Sequence, residues 1–353
     1  MKAWFDRGAW VSKRGLNVIA QLTPDHIKHI VVVRHAALGD MVLVRPFLIE
    51  ARKFFPNAKI TLNVVSNYNY GVPSDLVDAV HVMYGDDIRG VSLSDQIKKV
   101  KELKEVDLLF DFADTTRSRY LCLLTEAKLK IGFPYRQSMR TLLFDAAVFR
   151  SDFVFEAENM LHALELLGAN PSRPLNYALG LSTELDRRAS QTRPYIVYFP
   201  FASHVKKCWP AQQFRELVKT ASMRFPEYDH YLLQGTSSWE GLDEFESLLH
   251  DSNNIKLQKT LPLEQAQIFL RDAYLVVCND TGIRNLAISL GTPTLGIFFQ
   301  TVPYRYWPRN GCHDIVFNYD GALPSVNSVI ERQADLVKQV ALAGKKGARD
   351  SGV

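Results

Sequence analysis

VCNDTGIRNLAISLGTPTLGIF, Val277 to Phe298, is an apolar strand running into Asn279-Asp280-Thr281-Gly282, then a helical stretch, then a second buried strand. Such a junction suits a diphosphate. A helix start leaves backbone N–H groups unpaired and carries partial positive charge, and Gly282 removes the side chain that would hold an anion away. Asp280 and Thr281 can cap the turn or bind a sugar hydroxyl. An ordinary Asp-capped turn fits the same letters, so this stretch alone predicts a β-α-β unit and leaves its ligand open.

The same alternation extends in both directions. Upstream of it stand YIVYFP, a helix near Gln212 to Arg224, DHYLLQG, a helix around Leu242 to Leu249, IKLQ, a helix Leu263 to Leu270 and AYLVVC. An earlier series begins at His29: HIVVV, a helix around Val42 to Phe55, AKITLNVV, Val80-His81-Val82, a helix near Leu93 to Leu103, VDLLFDF, a helix after Thr116, and LKIGF. Two alternating series predict the α/β class with doubly wound parallel sheets, whose ligands gather at strand C-terminal ends. A chain of 353 residues accommodates two such units of ~150 residues. The segment Asn170 to Pro194, rich in Pro, Ser, Asn and Arg, is the expected connection. The expected division is an N-terminal extension over 1–28, a first domain over 29–175, a second over 190–325, a C-terminal helix over 326–343 and a frayed tail over 344–353.

Composition narrows the function classes. A hydrophobic content of 47% with 23% charged residues gives a soluble globular protein with a substantial core. A net charge of +4, without a dense Lys/Arg block interleaved with aromatics, argues against nucleic acid as a partner. Cys122, Cys208, Cys278 and Cys312 are far apart and lack metal-ligand spacing, as expected of reduced thiols in a cytoplasmic protein. No segment is long and apolar enough to span a bilayer, and Asp6, Arg7, Lys13 and Arg14 interrupt any secretory apolar run. Trp4, Phe5, Trp10, Val11, Leu16, Val18 and Ile19 among basic residues fit either an amphipathic helix on an anionic membrane face or a helix packed on its own domain.

Two further stretches join the first. VVVRHAALGDMVLVRPFLIEARKFFP, Val31 to Pro56, is a β-branched run, a loop ending in Leu38-Gly39-Asp40 and a helix; YIVYFPFASHVKKCWPAQQFREL, Tyr195 to Leu217, places Ser203, Lys207 and Trp209-Pro210 at its turn. In this order the three stretches resemble glycosyltransferase family 9, the ADP-heptose:lipopolysaccharide heptosyltransferases. That family carries an S-x-G-D-type loop, a P-x-A-S/T-x-x-x-K-x-W-P segment and a D-T-G-x-x-H-L-A-x-x-L-G-T-P block. The resemblance spans about Ile30 to Leu336.

The resemblance implies a GT-B architecture, two Rossmann-like domains facing across a cleft, with the last helix crossing back to the first domain. It implies inverting transfer of a heptose from ADP-heptose to a lipopolysaccharide core acceptor, an anionic glycolipid, at the cytoplasmic face of the inner membrane, with possible peripheral contact there. Asp40 would be the general base that takes the acceptor hydroxyl's proton. Capping the following helix is the other reading of Asp40. Lys207 would meet the leaving diphosphate's charge, helped by Ser203 and the amides at Thr281 and Gly282. Asp280 would contact donor-sugar hydroxyls, Glu240 the ribose diol and Leu261 the base, while Arg117, Arg119 and Arg136 would face the anionic acceptor. Asp111-Phe112-Ala113-Asp114 lacks Asp-x-Asp spacing, so neither a metal nor another cofactor is expected. One departure stands out: Asn285 occupies the family's His position, and Arg284 beside it either supplies positive charge or is a surface residue. Another nucleotide sugar, a GT-B-like sugar-nucleotide 2-epimerase and a catalytically silent binding module remain alternatives.

Overall fold

The computed structural model describes residues 10–68, 70–133, 141–179 and 193–350. The chain divides into two compact units, Met1–Ala178 and Leu179–Val353.

The first unit runs β1 (Trp10–Val11), α1 (Lys13–Ala20), β2 (His29–Val33), α2 (Leu38–Val42), α3 (Arg45–Phe54), β3 (Lys59–Val65), β4 (Ala79–Met83), α4 (Leu93–Val100), β5 (Val106–Asp111), α5 (Thr116–Leu124), β6 (Ala127–Gly132), β7 (Ala146–Ala147) and α6 (Glu156–Glu165). Its sheet has the order β1-β7-β6-β5-β2-β3-β4. All pairings are parallel except β1 on β7, where Trp10 faces Ala147. Ile30, Val31, Val32 and Val33 are fully buried, as a central strand covered by helices on both faces requires. The helix expected around Val42 to Phe55 is α3, whereas Leu38-Gly39-Asp40, expected to end a loop, already lies in the separate helix α2. Pro46 lacks the N–H a continuous helix would use and instead stands in the first turn of α3.

Trp4 and Phe5 lie outside the described residues; from Trp10 onward the N-terminal segment packs on its own unit. Ser12 Oγ caps α1 at the Gly15 amide (2.9 Å), and Arg14 pairs with Asp145 at 3.3 Å. A Cβ on Gly15 would lie 2.6 Å from the Asp145 carbonyl oxygen, so only glycine permits this approach.

The second unit runs β8 (Tyr195–Phe199), α7 (Ala211–Arg224), β9 (Asp229–Leu233), β10 (Ile255–Gln258), α8 (Leu263–Arg271), β11 (Leu275–Asn279), α9 (Gly282–Ser289), β12 (Thr294–Ile297), β13 (His313–Val316) and α10 (Val326–Asp350). Its sheet, β10-β9-β8-β11-β12-β13, is parallel throughout. The segment expected as an α-helix around Leu242 is a 3-10 helix, Asp243–His250. Edge strand β13 has only four residues and gave no sequence signal. Helix α10 packs on α7, β12 and β13, with Gln333 donating to the Tyr198 hydroxyl at 2.9 Å. All four cysteines are free, Cys122 and Cys278 being buried. Among the described residues no helix is long and apolar enough to cross a membrane.

A polar chain crosses the first sheet where β2, β3 and β4 meet. Thr115 Oγ1 lies 2.9 Å from His35 Nδ1, His35 Nε2 2.8 Å from Asn63 Oδ1, Asn63 Nδ2 2.7 Å from His81 Nδ1, and His81 Nε2 2.9 Å from the Lys99 carbonyl oxygen. Asn63 Oδ1 and the Lys99 carbonyl oxygen can only accept, so each imidazole presents an Nε2–H to its acceptor. Burial lowers His35 to about 4 and also lowers His81. Because His35 has its ordinary value of 6.5 when unfolded, the unfolded chain binds more protons below pH 6.5. The stability from keeping His35 neutral is therefore present above pH 6.5 and lost as pH falls toward 4. Urea midpoints measured from pH 4 to 7 should fall with acidification, and His35→Gln should remove about 1.4 kcal/mol per pH unit of that slope in mid-window. An unchanged slope would mean that His35 protonates freely in the native state.

Candidate active site

In the first unit the candidate base sits just beyond a buried strand end. Strand β2 gives way to Arg34 and a short loop, and Asp40 lies inside the first turn of α2, whose N-cap is Ala37. Asp40 is thus not the cap. Arg34, 3% exposed, donates through Nε and Nη2 to the Asp40 carbonyl at 3.3 and 3.2 Å, and Nη2 lies 3.9 Å from Asp40 Oδ1. Its Nη1 reaches the Phe112 carbonyl at 2.8 Å and Glu156 Oε1 at 3.2 Å. Glu156, wholly buried at the start of α6, also pairs with Arg150. The side chain of Asp40 is 38% exposed, so a carboxylate with a fixed backbone is open to solvent.

In the second unit, strands β8 and β11 lie side by side and deliver two loops to one end of the sheet. Asn279 joins them: its Oδ1 accepts the Trp209 amide at 3.0 Å and its Nδ2 donates to the Pro200 carbonyl at 2.8 Å. Trp209, 1% exposed, donates its indole N–H to the Pro324 carbonyl at 2.9 Å. With the loop pinned, Lys207 Nζ reaches Asp280 Oδ2 at 2.9 Å, and Thr301 Oγ1 donates to the same oxygen at 2.7 Å. Asp280 does not cap α9 either; Thr281 is its N-cap, in extended backbone, without a side-chain cap bond. The amides of Gly282 and Ile283, in the first turn of α9, have no partner within the helix. A cation, a carboxylate and unpaired amides therefore share one strand end. This set can bind a group that is anionic at one end and hydroxylated at the other.

The model of glycosyltransferase family 9 (heptosyltransferase) matches residues 97–332. The chain belongs to this family. The lipopolysaccharide core heptosyltransferase OpsX of Haemophilus influenzae is 22% identical over 299 residues, covering 83% of this chain and 85% of that protein. Lipopolysaccharide heptosyltransferase 3 of Escherichia coli is 22% identical over 77% of this chain and 83% of its own length. Among solved structures, the E. coli heptosyltransferase WaaC with ADP-2-deoxy-2-fluoro heptose superposes with a TM-score of 0.67 at 18% identity, covering 86% of this chain and 98% of that one. The protein is thus a glycosyltransferase with two Rossmann-like units of the GT-B class.

The remaining predicted residues divide by position. Ser203 is exposed beside Lys207, and Leu261 is half-buried ahead of α8. Glu240 is buried, its Oε2 accepting the Ser237 amide at 2.8 Å; a Cβ on Gly235 would lie 2.1 Å from that oxygen, so glycine is required there. Arg117 and Arg119 pair with Asp86 and Asp114 at 2.6 and 2.9 Å, so their charge is partly matched within the unit. Asp114 itself has a left-handed backbone (φ 47°), and burial raises its carboxyl. Arg136 lies outside the described residues. No group of three or more His, Cys, Asp or Glu side chains able to hold a metal occurs among the described residues.

Where this glycosyltransferase departs from the family block, Arg284 is a buried residue, 1% exposed, and not a surface one. It donates to the carbonyls of Tyr306 and, at 3.4 Å, of Asp314, and lies over the Phe298 ring at 5.4 Å. Burial lowers its affinity for the proton and Nε has no hydrogen-bond partner. Its guanidinium fastens the segment after β12 to α9. Asn285, also buried, makes no side-chain hydrogen bond among the described residues. Arg34, Glu156, Arg150 and Thr301 were absent from the sequence reading. A basic residue directly after a β-branched run, as in VVVRH, was the one available signal.

Proposed function

We propose that this glycosyltransferase moves a heptose from ADP-heptose to an acceptor in the lipopolysaccharide core, with inversion at the anomeric carbon. The observation that carries this reading is the Lys207–Asp280 pair beside the open amides of α9. Lys207 and the helix-end dipoles meet the negative charge that develops on the leaving ADP, so the step needs no metal. Ser203 adds a hydroxyl donor; Glu240 and Leu261 take the ribose and the base. Asp40 accepts the acceptor hydroxyl's proton as that oxygen bonds to the anomeric carbon and the sugar–phosphate bond breaks. Arg117, Arg119 and Arg136 serve the anionic glycolipid, at the cytoplasmic face of the inner membrane, and the N-terminal extension makes any peripheral contact with that surface.

Calorimetry with ADP, UDP, GDP and CMP in EDTA tests the donor reading. ADP is expected to bind selectively, and Lys207→Ala to weaken it about tenfold or more, the loss of one charge-assisted contact. Preference for another nucleotide would replace the donor. Loss of ADP binding in EDTA would overturn metal independence. Donor turnover with acceptor omitted separates a transferase from an epimerase, which needs no acceptor.

A further inference from the structure

We infer that Thr301 is a positioning residue of the donor site, acting through Asp280; the inference rests on the nucleotide-sugar reading above. Asp280 poses an electrostatic difficulty in that reading, because a carboxylate next to a diphosphate is repelled by it. Asp280 Oδ2 accepts two donors, Lys207 Nζ at 2.9 Å and Thr301 Oγ1 at 2.7 Å. Lys207 is the group assigned to the diphosphate, so its hold on Asp280 weakens when ADP-sugar binds. Thr301 has no such competing duty. It keeps a donor on Oδ2 as Lys207 turns to phosphate, and it leaves Oδ1, to which no side chain donates among the described residues, facing a sugar hydroxyl.

The fold supports that task. Thr301 lies between β12 and the 3-10 helix Pro303–Tyr306, and this segment is held at both ends. Before it, the Phe298 amide donates to the Val316 carbonyl at 2.9 Å; after it, buried Arg284 binds the Tyr306 carbonyl. Arg284 thus contributes to the site by fixing the backbone that carries Thr301, and not as a cation facing ligand.

The experiment compares ADP and ADP-heptose binding by calorimetry in wild type, Thr301→Val, Thr301→Ser, Asp280→Asn and the Thr301→Val/Asp280→Asn double variant. Thr301→Val should leave the ADP Kd within about twofold and weaken ADP-heptose about tenfold, with Ser restoring it. In the double variant the two losses should not multiply, because both remove one interaction. Equal weakening of ADP and ADP-heptose, or multiplying losses, would overturn the inference, as would unchanged ADP-heptose binding in Thr301→Val while wild type binds both ligands. Failure of wild type to bind ADP would instead overturn the donor reading, and Thr301 with it. If Thr301→Val does not fold, Thr301→Ser and Thr301→Ala carry the comparison: Ala must lose sugar discrimination that Ser keeps, and equal behaviour overturns the inference.

Discussion

Asp40→Asn is expected to lower kcat by a factor of about 10² to 10⁴, the span general-base catalysis contributes, and to leave donor binding within about twofold. Asn has the shape of Asp and accepts hydrogen bonds, but it cannot take a proton at neutral pH. The backbone of α2 should not move, because Arg34 holds the Asp40 carbonyl and not only its side chain. Folding should also tolerate the change, since Ala37 and not Asp40 caps that helix. Product nucleotide measured at saturating donor and acceptor gives kcat, while calorimetry with ADP gives the binding term. A kcat within threefold of wild type would remove Asp40 as the base. A parallel loss of ADP binding would mean that the substitution had damaged more than proton transfer.

What the sequence made legible follows from which interactions are local. Buried apolar runs such as Ile30–Val33 and Leu275–Cys278 mark strands, and the connections after them are short, so Asp40, Lys207 and Asp280 could be placed in order just beyond strand ends. The pairing of Lys207 with Asp280 joins residues far apart in sequence, yet parallel β8 and β11 are adjacent in the sheet, so strand-end reasoning reaches it. Thr301 was not legible. Its partner also follows an adjacent parallel strand, β11 beside β12, but QTVPYRYWP has no periodicity to assign a face to Thr301. Arg284 was misjudged for a related reason: Arg284 through Ser289 are all buried, so α9 has no solvent stripe by which helical period could place an arginine. The break between α2 and α3 was written in Pro46, whose ring starts a helix as readily as it stops one.

Glu156 should be the costliest single charge to remove from the first unit. Its carboxylate is wholly buried and lies between Arg34, whose side chain is 4% exposed, and Arg150, at 13%. Solvation of a guanidinium at those exposures is poor, so the carboxylate is what makes two cations tolerable there. Glu156→Ala removes the buried carboxylate that both share and is expected to destabilise the unit by about 3–5 kcal/mol, the usual result of breaking a buried pair from one side. Glu156→Gln keeps the volume and one acceptor and should cost less, though it too loses the charge. Because Arg34 links Glu156 to the Asp40 carbonyl, whichever variant folds should also show reduced kcat with donor Kd unchanged. Urea unfolding followed by far-UV circular dichroism measures the stability, and the two-unit chain calls for fitting two transitions, not one. A loss below about 1 kcal/mol for Glu156→Ala would mean that Arg150 swings out to solvent and that the carboxylate holds nothing in place. A normal kcat in a destabilised Glu156→Gln would sever the link to Asp40 and confine Glu156 to folding.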